Sequence, residues 1–169
     1  MAVRVDGQAE RLRSDRLLPH SAAGRLVTAA PLNGAPEALS GGANSVWVAD
    51  PGGGAVTRID PGSGAAEDQI LASGEPGGIV SGGGAIWTAS TVGATVTRID
   101  PATEAVTQTI RLPGPALDAV AYGAGRLWAA SPDRELFEID PASGSPQRTI
   151  PLDVQPSALA VADGSIRAR

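Results

Sequence analysis

The sequence predicts an all-β protein built from repeats of about 40 residues, because separate features recur with that period. Tryptophan recurs at steps of 40 and 41 residues, at Trp47, Trp87 and Trp128. The tripeptide Ile-Asp-Pro recurs at a step of 40, at 59–61, 99–101 and 139–141. Short strand-like runs and Gly-rich turns fill each period, which is typical of a blade in a β-propeller.

Each repeat predicts four short strands. In the repeat with the clearest pattern these are Gly78–Val80, Ala85–Ala89, Thr95–Ile99 and Ala105–Leu112. The strands are rich in β-branched residues, and glycine-rich or Asp-Pro segments separate them. Alternation places Val46 and Val48 on one face of a strand and Trp47 on the other. Both faces are therefore apolar, as a blade packed between two neighbours requires.

The repeats predict one domain with about four blades. Residues 1–36 are expected to form a degenerate, partial blade, residues 37–156 three full blades, and residues 157–169 the opening strands of a further blade. Two architectures are open. The blades form either an incomplete arc of a larger propeller, or a small closed ring in which a strand near Leu159–Val161 joins the first blade. An arc would leave apolar blade faces in water, so we expect it to self-associate.

The Ile-Asp-Pro tripeptides predict tight turns rather than catalytic or metal-binding sites. Asp60, Asp100 and Asp140 can each accept a hydrogen bond from the backbone N–H two residues further on, and the proline sets φ for the next turn position. Glycine follows three residues after the proline in two repeats, but Glu104 occupies that position in the middle one. A left-handed conformation at Glu104 would cost about 1 kcal/mol.

The aromatic residues predict core packing rather than ligand stacking. Each tryptophan lies in the middle of a predicted strand and is flanked by aliphatic residues. Tyr122 and Phe137 are interpreted in the same way. The aromatic content is only 3%, so the core must be built mainly from Val, Ile, Leu and Ala.

Composition excludes several classes of function. The chain has no cysteine, which rules out disulfides and thiolate chemistry. Its net charge is −5 and no basic residues cluster, which argues against nucleic acid and anionic membranes as partners. The N-terminal segment lacks the apolar stretch of a signal peptide, and no segment is apolar enough to span a membrane. The compartment is not determined, and a cytoplasmic location is the default expectation.

A longer motif recurs with the repeat: G-x-x-x-[VIL]-W-x-A, about eight variable residues, [VT]-x-R-I-D-P-x-[ST]-G, a Thr-Ile strand and G-x-P-x-x-[LIV]-A. It is carried by Val46–Asp50, Thr57–Pro61 and Pro76–Val80, with copies at 86–90, 97–101, 127–131, 137–141 and 156–161. This pattern resembles the streptogramin lyase-like (virginiamycin B lyase-like) propellers and the related YVTN and NHL repeats. The resemblance implies a propeller fold, and many members of such families are non-catalytic binding or scaffold modules.

The enzyme that names the streptogramin lyase family opens a cyclic depsipeptide by elimination. The resemblance implies a site with paired histidines, a glutamate and a divalent metal. This chain has a single histidine, His20, in a degenerate turn, so the lyase chemistry is not carried over. We predict no catalytic, cofactor-binding or metal-binding residues.

The predicted functional surface is the loop face opposite the Asp-Pro turns. It carries five candidate interaction residues: Asp50, Glu75, Asp133, Arg134 and Asp153. Loops of a rigid scaffold commonly carry binding function. The leading hypothesis is a non-enzymatic propeller module that serves as a binding scaffold or sensor, with a protein or small molecule as its ligand. The alternatives are a fragment of a streptogramin lyase-like enzyme whose catalytic blades lie outside this chain, and a non-functional gene remnant.

Overall fold

The computed structural model describes residues 2–5, 8–13, 16–18, 30–32, 34–162 and 165–169, and every helix or strand element in these residues is a β-strand. The strands form four antiparallel sheets of four strands and one hairpin, and neighbours within each sheet are consecutive in the chain. The predicted all-β fold of repeating four-stranded blades is confirmed.

Each four-stranded sheet is one blade. Blade 1 contains β1 (Ala2–Val5), β2 (Gln8–Arg13), β3 (Arg16–Leu18) and β4 (Ala30–Pro31). Blade 2 contains β5 (Ala38–Gly42), β6 (Ser45–Asp50), β7 (Ala55–Ile59) and β8 (Ala66–Leu71). Blade 3 contains β9 (Pro76–Gly82), β10 (Ala85–Ser90), β11 (Thr95–Asp100) and β12 (Ala105–Arg111). Blade 4 contains β13 (Ala119–Gly123), β14 (Arg126–Ser131), β15 (Glu135–Ile139) and β16 (Pro146–Pro151), and the half-blade contains β17 (Leu159–Ala162) and β18 (Ser165–Ala168).

Blades 2, 3 and 4 and the half-blade form an incomplete arc. Successive blades meet through their first strands, because β5 contacts β9, β9 contacts β13, and β13 contacts β17. In the described residues β17 pairs with β18 alone. No strand of blade 1 pairs with the half-blade among the described residues, so the small closed ring is not formed there.

The hydrophobic core lies between the blades. Trp47 is fully buried and packs with Val56 and Ile70 of its own blade and with Ile86 and Ile99 of blade 3. Each such aromatic side chain buries on the order of 200 Å² and contributes a large share of the packing energy. The stack of blades therefore depends on these interblade clusters.

The other aromatic residues also pack between blades. Trp87 and Phe137 lie in the cluster between blades 3 and 4, with Tyr122 packed against it. Trp128 packs against Leu159 and Ile166 of the half-blade. The predicted core role of all five aromatic residues is confirmed.

A glycine near the end of each first strand lets the next blade approach closely. A Cβ at Gly82 would overlap the ring of Tyr122 in the next blade, and the same relationship holds for Gly42 with Ser81 and for Gly123 with Val161. Any larger residue at these glycines would separate the blades along their inner strands.

The Asp-Pro turns form as predicted. Asp60 Oδ1 accepts hydrogen bonds from the N–H groups of Gly62 and Ser63, at 2.9 and 2.7 Å. Asp100 and Asp140 accept equivalent bonds from the residues two and three positions further on. These bonds lower the pKa of Asp60 and of Asp140, since they stabilise the ionised carboxylate. The three aspartates are structural turn residues.

Candidate functional site

The turns between second and third strands, and the connections between blades, lie at the edge of the blades opposite the Asp-Pro turns. We call this surface the loop face, and it consists of residues 34–37, 51–54, 72–75, 91–94, 112–118, 132–134 and 152–158. We call the opposite surface the turn face, and it consists of the Asp-Pro turns at 60–65, 100–104 and 140–145 and the hairpin turns at 43–44, 83–84 and 124–125.

The last residue of each second strand anchors the loop face. Asp50 Oδ1 accepts hydrogen bonds from the N–H of Gly53 at 3.1 Å and from the N–H of Ala35 at 3.4 Å. Asp50 thereby ties the turn of its own blade to the connection that precedes that blade. Its side chain is 5% exposed. Asp50 therefore supports the loop face through Oδ1, while its buried Oδ2 has no hydrogen-bond partner among the described residues. Its role as an interaction residue stays a prediction.

In the next two blades a serine hydroxyl at this position accepts a hydrogen bond from the turn of its own blade, and Ser90 also bonds the preceding connection. Ser90 Oγ accepts hydrogen bonds from the N–H of Glu75 at 3.0 Å and of Val92 at 3.1 Å. Ser131 Oγ accepts one from the N–H of Asp133 at 3.1 Å. Two of the predicted interaction residues, Glu75 and Asp133, are thus held in place by their main chains, and their side chains are left exposed.

A glycine in each connection makes room for the anchoring side chain. Gly34, Gly74 and Gly114 have φ of 138°, 81° and 99°, a region that favours glycine. A Cβ at Gly34 or Gly74 would collide with Asp50 or Ser90. Our sequence reasoning missed this arrangement, although the three glycines keep the 40-residue step that would have revealed it.

Backbone hydrogen bonds join the loops into one continuous surface. Each connection donates to the turn of the blade before it, through Ala72 N–H to Gly54 O, Leu112 N–H to Ala94 O and Leu152 N–H to Arg134 O, at 3.0, 2.9 and 2.8 Å. The connection before blade 4 also lies across the turn of blade 3, where the Gly93 N–H donates to Pro115 O at 2.7 Å. The loop face is therefore a rigid part of the scaffold across blades 2, 3 and 4.

Five carboxylates of the loop face play no part in holding the fold together. Across the described stretches of the chain, none of them makes a side-chain hydrogen bond or an ion pair. Four are exposed and Asp118 is half-buried. These residues are Glu37, Glu75, Asp118, Asp133 and Asp153. Arg134 is the only basic residue among the loop-face positions, and it is exposed too.

The carboxylates near the turn face are instead used within the molecule. The turn aspartates accept backbone hydrogen bonds, as described above. Glu104 pairs with Arg58 of blade 2, and Glu138 pairs with both Arg126 and Arg148 within blade 4, at 3.4 and 2.6 Å. The described ion pairs thus all lie away from the loop face, which leaves the loop face with an excess of unpaired negative charge.

Two apolar side chains lie among these acidic groups. Val92, in the turn of blade 3, is 54% exposed, and Val154, in the connection after blade 4, is 57% exposed. Four of the five predicted interaction residues, Glu75, Asp133, Arg134 and Asp153, are exposed as well. Val92, Val154, Glu37 and Asp118 were not among the predicted residues, because exposure depends on the loop conformation.

A small cavity of about 180 Å³ lies at the turn face between blades 2 and 3. It is lined by Ala43, Ser81, Gly82, Gly84, Ala85, Ile86 and Pro101. Typical ligand pockets begin at roughly 300 Å³, so this cavity is too small for most organic ligands and lies apart from the loop face.

Among the described residues, no group of three or more His, Cys, Asp and Glu side chains is placed to hold a metal ion. The same residues contain no helix of the length and apolarity needed to cross a membrane. His20 lies outside the described residues.

Comparison with solved structures gives the class of protein. The hydrazine synthase of Kuenenia stuttgartiensis superposes with a TM-score of 0.77 at 18% identity, over 86% of this chain and 45% of that chain. The WD40 domain of Pan2 from Neurospora crassa superposes with a TM-score of 0.75 at 15% identity, over 94% of this chain and 53% of that chain. The WD40 fold is a β-propeller, and at these identities the likeness shows the fold alone.

The chain is thus a β-propeller segment that spans about half the length of the solved structures it matches. No protein-family model matches the chain, and no curated protein sequence matches it.

Proposed function

We propose that this chain is a propeller binding module whose partner contacts the loop face. One observation carries the proposal: the loop face presents five carboxylates that the fold does not use, on loops that the fold holds rigid. Groups already paired inside a protein are poor candidates for recognition, since a partner would have to displace existing bonds. Because the backbone of these loops is already hydrogen-bonded, binding costs mainly the rotamer entropy of the side chains that the partner orders.

The exposed valines support the same surface. Val92 and Val154 are half-exposed on rigid loops, so a partner that covers them gains apolar burial without a rearrangement of the protein. Covering the exposed half of two valines is worth roughly 1–2 kcal/mol. The acidic groups then orient the partner and the valines add affinity.

Peptide display on the immobilised protein tests this proposal. Peptides selected against the whole chain should bind the double variant Val92→Ser/Val154→Ser about tenfold more weakly than the unaltered protein. Val106 provides a matched control, because it is 39% exposed on β12, away from the loop face. The Val106→Ser variant should bind normally. Equal binding by the loop-face and control variants would contradict the proposal.

A finer family assignment also belongs to this proposal. The recurring motif supports membership of the streptogramin lyase-like, YVTN and NHL group of repeats. The same resemblance supports a second candidate function, as part of a streptogramin lyase-like enzyme whose catalytic blades lie outside this chain. Magnesium-dependent opening of a streptogramin ring, assayed on this chain and on the complete gene product, tests it. We expect no turnover by this chain alone.

Self-association is the proposed behaviour of the isolated arc. The outer face of the half-blade exposes Ala160, Ala162, Ser165 and Arg167. Arg167 lies at the repeat position where blades 2, 3 and 4 have tryptophan. This face, on which only Arg167 is large, can pack against a second copy, whereas the half-blade packs Leu159 and Ile166 against blade 4. Light scattering should show a dimer or larger species, and a clean monomer would contradict this.

A further inference from the structure

We propose that the open edge of the half-blade binds an extended β-strand of another polypeptide, in which an acidic residue is followed directly by an aliphatic one. The strand adds to β18 by antiparallel pairing and packs on blade 4. This site is separate from the loop face, so the inference goes beyond the proposed function.

A free strand edge is the first observation. In the described residues β18 pairs with β17 alone. Arg169 and Ala158 exchange two backbone hydrogen bonds, each of 3.1 Å, and bonded pairs alternate with non-bonded pairs along an antiparallel ladder. The N–H and C=O groups of Ile166 and Ala168 therefore point away from β17, towards the open edge. An extended segment can pair with these groups and add a strand to the sheet.

An incomplete apolar cluster beside that edge is the second observation. Where blades 2, 3 and 4 meet, the third strand of the following blade supplies an isoleucine. Ile99 packs in one cluster with Trp47, and Ile139 packs in one cluster with Trp87. Among the described residues, the cluster around Trp128 contains Ile166 from the second strand of the half-blade and nothing from a third strand.

The exposure of blade 4 reflects this gap. Ile110, on the fourth strand of blade 3, is 5% exposed, whereas Ile150 at the equivalent position of blade 4 is only half-buried. Leu112 is 4% exposed, and its equivalent, Leu152, is again half-buried. An added strand that covers these side chains removes further apolar surface from water.

The register of the complete blades shows which residue fills the gap. In each of them the third-strand isoleucine lies opposite an aliphatic residue of the second strand. These pairs are Ile59 with Val46, Ile99 with Ile86, and Ile139 with Leu127. Ile166 is the equivalent second-strand residue, because it lies one residue before the repeat position of the tryptophans. The added strand therefore needs an aliphatic residue opposite Ile166.

Arg167 selects the residue before that aliphatic one. Its side chain is exposed, and it forms no ion pair with another described residue. In blade 4 the residue opposite the equivalent position is Glu138, directly before Ile139. Opposite charges on paired strands stabilise a sheet. The Glu-Ile sequence of β15 therefore suits the open edge better than the Arg-Ile sequence of β7 and β11.

A synthetic hairpin with the sequence of residues 135–151, the third and fourth strands of blade 4, tests this inference on the whole chain. Fluorescence anisotropy of the labelled hairpin should show saturable binding. A hairpin with Ile139→Asp should bind at least tenfold more weakly, because it would bury a charge against Ile166. Equal binding by the two hairpins would contradict the inference.

A charge-reversal cycle tests the role of Arg167. A hairpin with Glu138→Arg should bind the unaltered protein about two- to fivefold more weakly, and the Arg167→Glu variant of the protein should reverse this preference. Arg134→Glu is the control, because it makes the same change in charge on the loop face and should leave the preference unaltered. A preference that Arg167→Glu does not change would overturn the assignment of an acidic residue to the added strand.

Amide hydrogen exchange locates the added strand. Saturation with the hairpin should slow the exchange of the Ile166 and Ala168 amides at least tenfold, since these groups become hydrogen-bonded. The Arg167 amide faces β17 and should change less. Unaltered exchange at Ile166 and Ala168 would show that the hairpin does not pair with β18, and the inference would be wrong.

A second copy of this chain is the alternative occupant of the edge. A dimer in light scattering that excludes the hairpin would assign the edge to the second copy and overturn the inference. The loop-face variant Val92→Ser/Val154→Ser should bind the hairpin with unaltered affinity. Failure of the proposed function and failure of this inference therefore appear in different experiments.

Discussion

Glu104 adopts a left-handed backbone conformation, with φ of 56°, and its carboxylate lies 2.5 Å from Arg58 of the preceding blade. The equivalent residues of the neighbouring blades are Gly64 and Gly144. Arg58 is itself held by Ser45 Oγ at 2.8 Å and lies 5.8 Å from the ring centroid of Trp47. Glu104 therefore has a strained backbone conformation at a position where its side chain forms an ion pair between blades.

Two substitutions of Glu104 distinguish the effect of the backbone strain on stability from the effect of the ion pair. Glu104→Gly and Glu104→Ala both remove the carboxylate, but only glycine relieves the left-handed conformation. We expect the glycine variant to be more stable than the alanine variant by about 0.5–1 kcal/mol in urea unfolding. An alanine variant as stable as the glycine variant would show that the backbone at this position is not strained.

Acidification should destabilise the fold. Hydrogen bonding to Arg58 lowers the pKa of Glu104, and backbone hydrogen bonds from Ser63 and Ser143 lower the pKa of Asp60 and of Asp140. A lowered folded-state pKa contributes stability above the unfolded-state pKa, near 4, and that stability is lost as pH falls through the folded-state pKa. We expect the urea midpoint to fall from pH 5 to pH 3.

One group opposes this trend. Hydrogen bonding to Glu104 raises the pKa of Glu67, so protonation of Glu67 favours the folded state as pH falls. Because the pKa is lowered at three groups, Glu104, Asp60 and Asp140, and raised only at Glu67, we expect a net loss of stability on acidification. The Asp140→Asn variant should lose less stability than the unaltered protein between pH 5 and pH 3. A urea midpoint that rises between pH 5 and pH 3 would contradict the prediction.

Replacement of the buried tryptophans by phenylalanine should lower the free energy of unfolding by different amounts. Trp87 Nε1 donates a hydrogen bond to Gly82 O at 3.0 Å, whereas the buried Nε1 of Trp128 has no partner among the residues that the structure describes. Trp87→Phe should therefore cost about 1 kcal/mol more than Trp128→Phe in urea unfolding, since it alone removes a hydrogen bond. Equal costs would indicate that the two indole groups are equivalent in solution.

The hairpin turns offer a stabilising substitution. Ala124 is exposed in the turn before β14 and has φ of 52°, a conformation that costs an L-residue about 1 kcal/mol. Ala124→Gly should raise the free energy of unfolding by up to about 1 kcal/mol, less the entropy that glycine adds to the unfolded chain. Ala160→Gly is the control on an exposed strand position, and it should lower stability by about 0.5–1 kcal/mol. A destabilised Ala124→Gly variant would contradict this reasoning.

Much of the fold could be predicted because its signals are short in sequence. The Asp60 turn closes through bonds to residues two and three positions further on, and the position of Trp47 among aliphatic residues indicates its burial. Glu75, Asp133, Arg134 and Asp153 are exposed, and their role as interaction residues stays a prediction. The burial of Asp50 was not predicted, because one of its partners, Ala35, lies 15 residues away.

The sequence by itself determined the repeat, the blades, the turns and the identity of the core aromatic residues, since each depends on periodicity or on neighbours within a few residues. Only the tertiary structure decided between an arc and a ring, because strand pairing between distant segments has no local signal. The tertiary structure also decided which carboxylates form ion pairs or hydrogen bonds within the protein and which do not. Arg58 meets Glu104 from 46 residues away, and the charge left on the loop face is known only when such pairs are assigned.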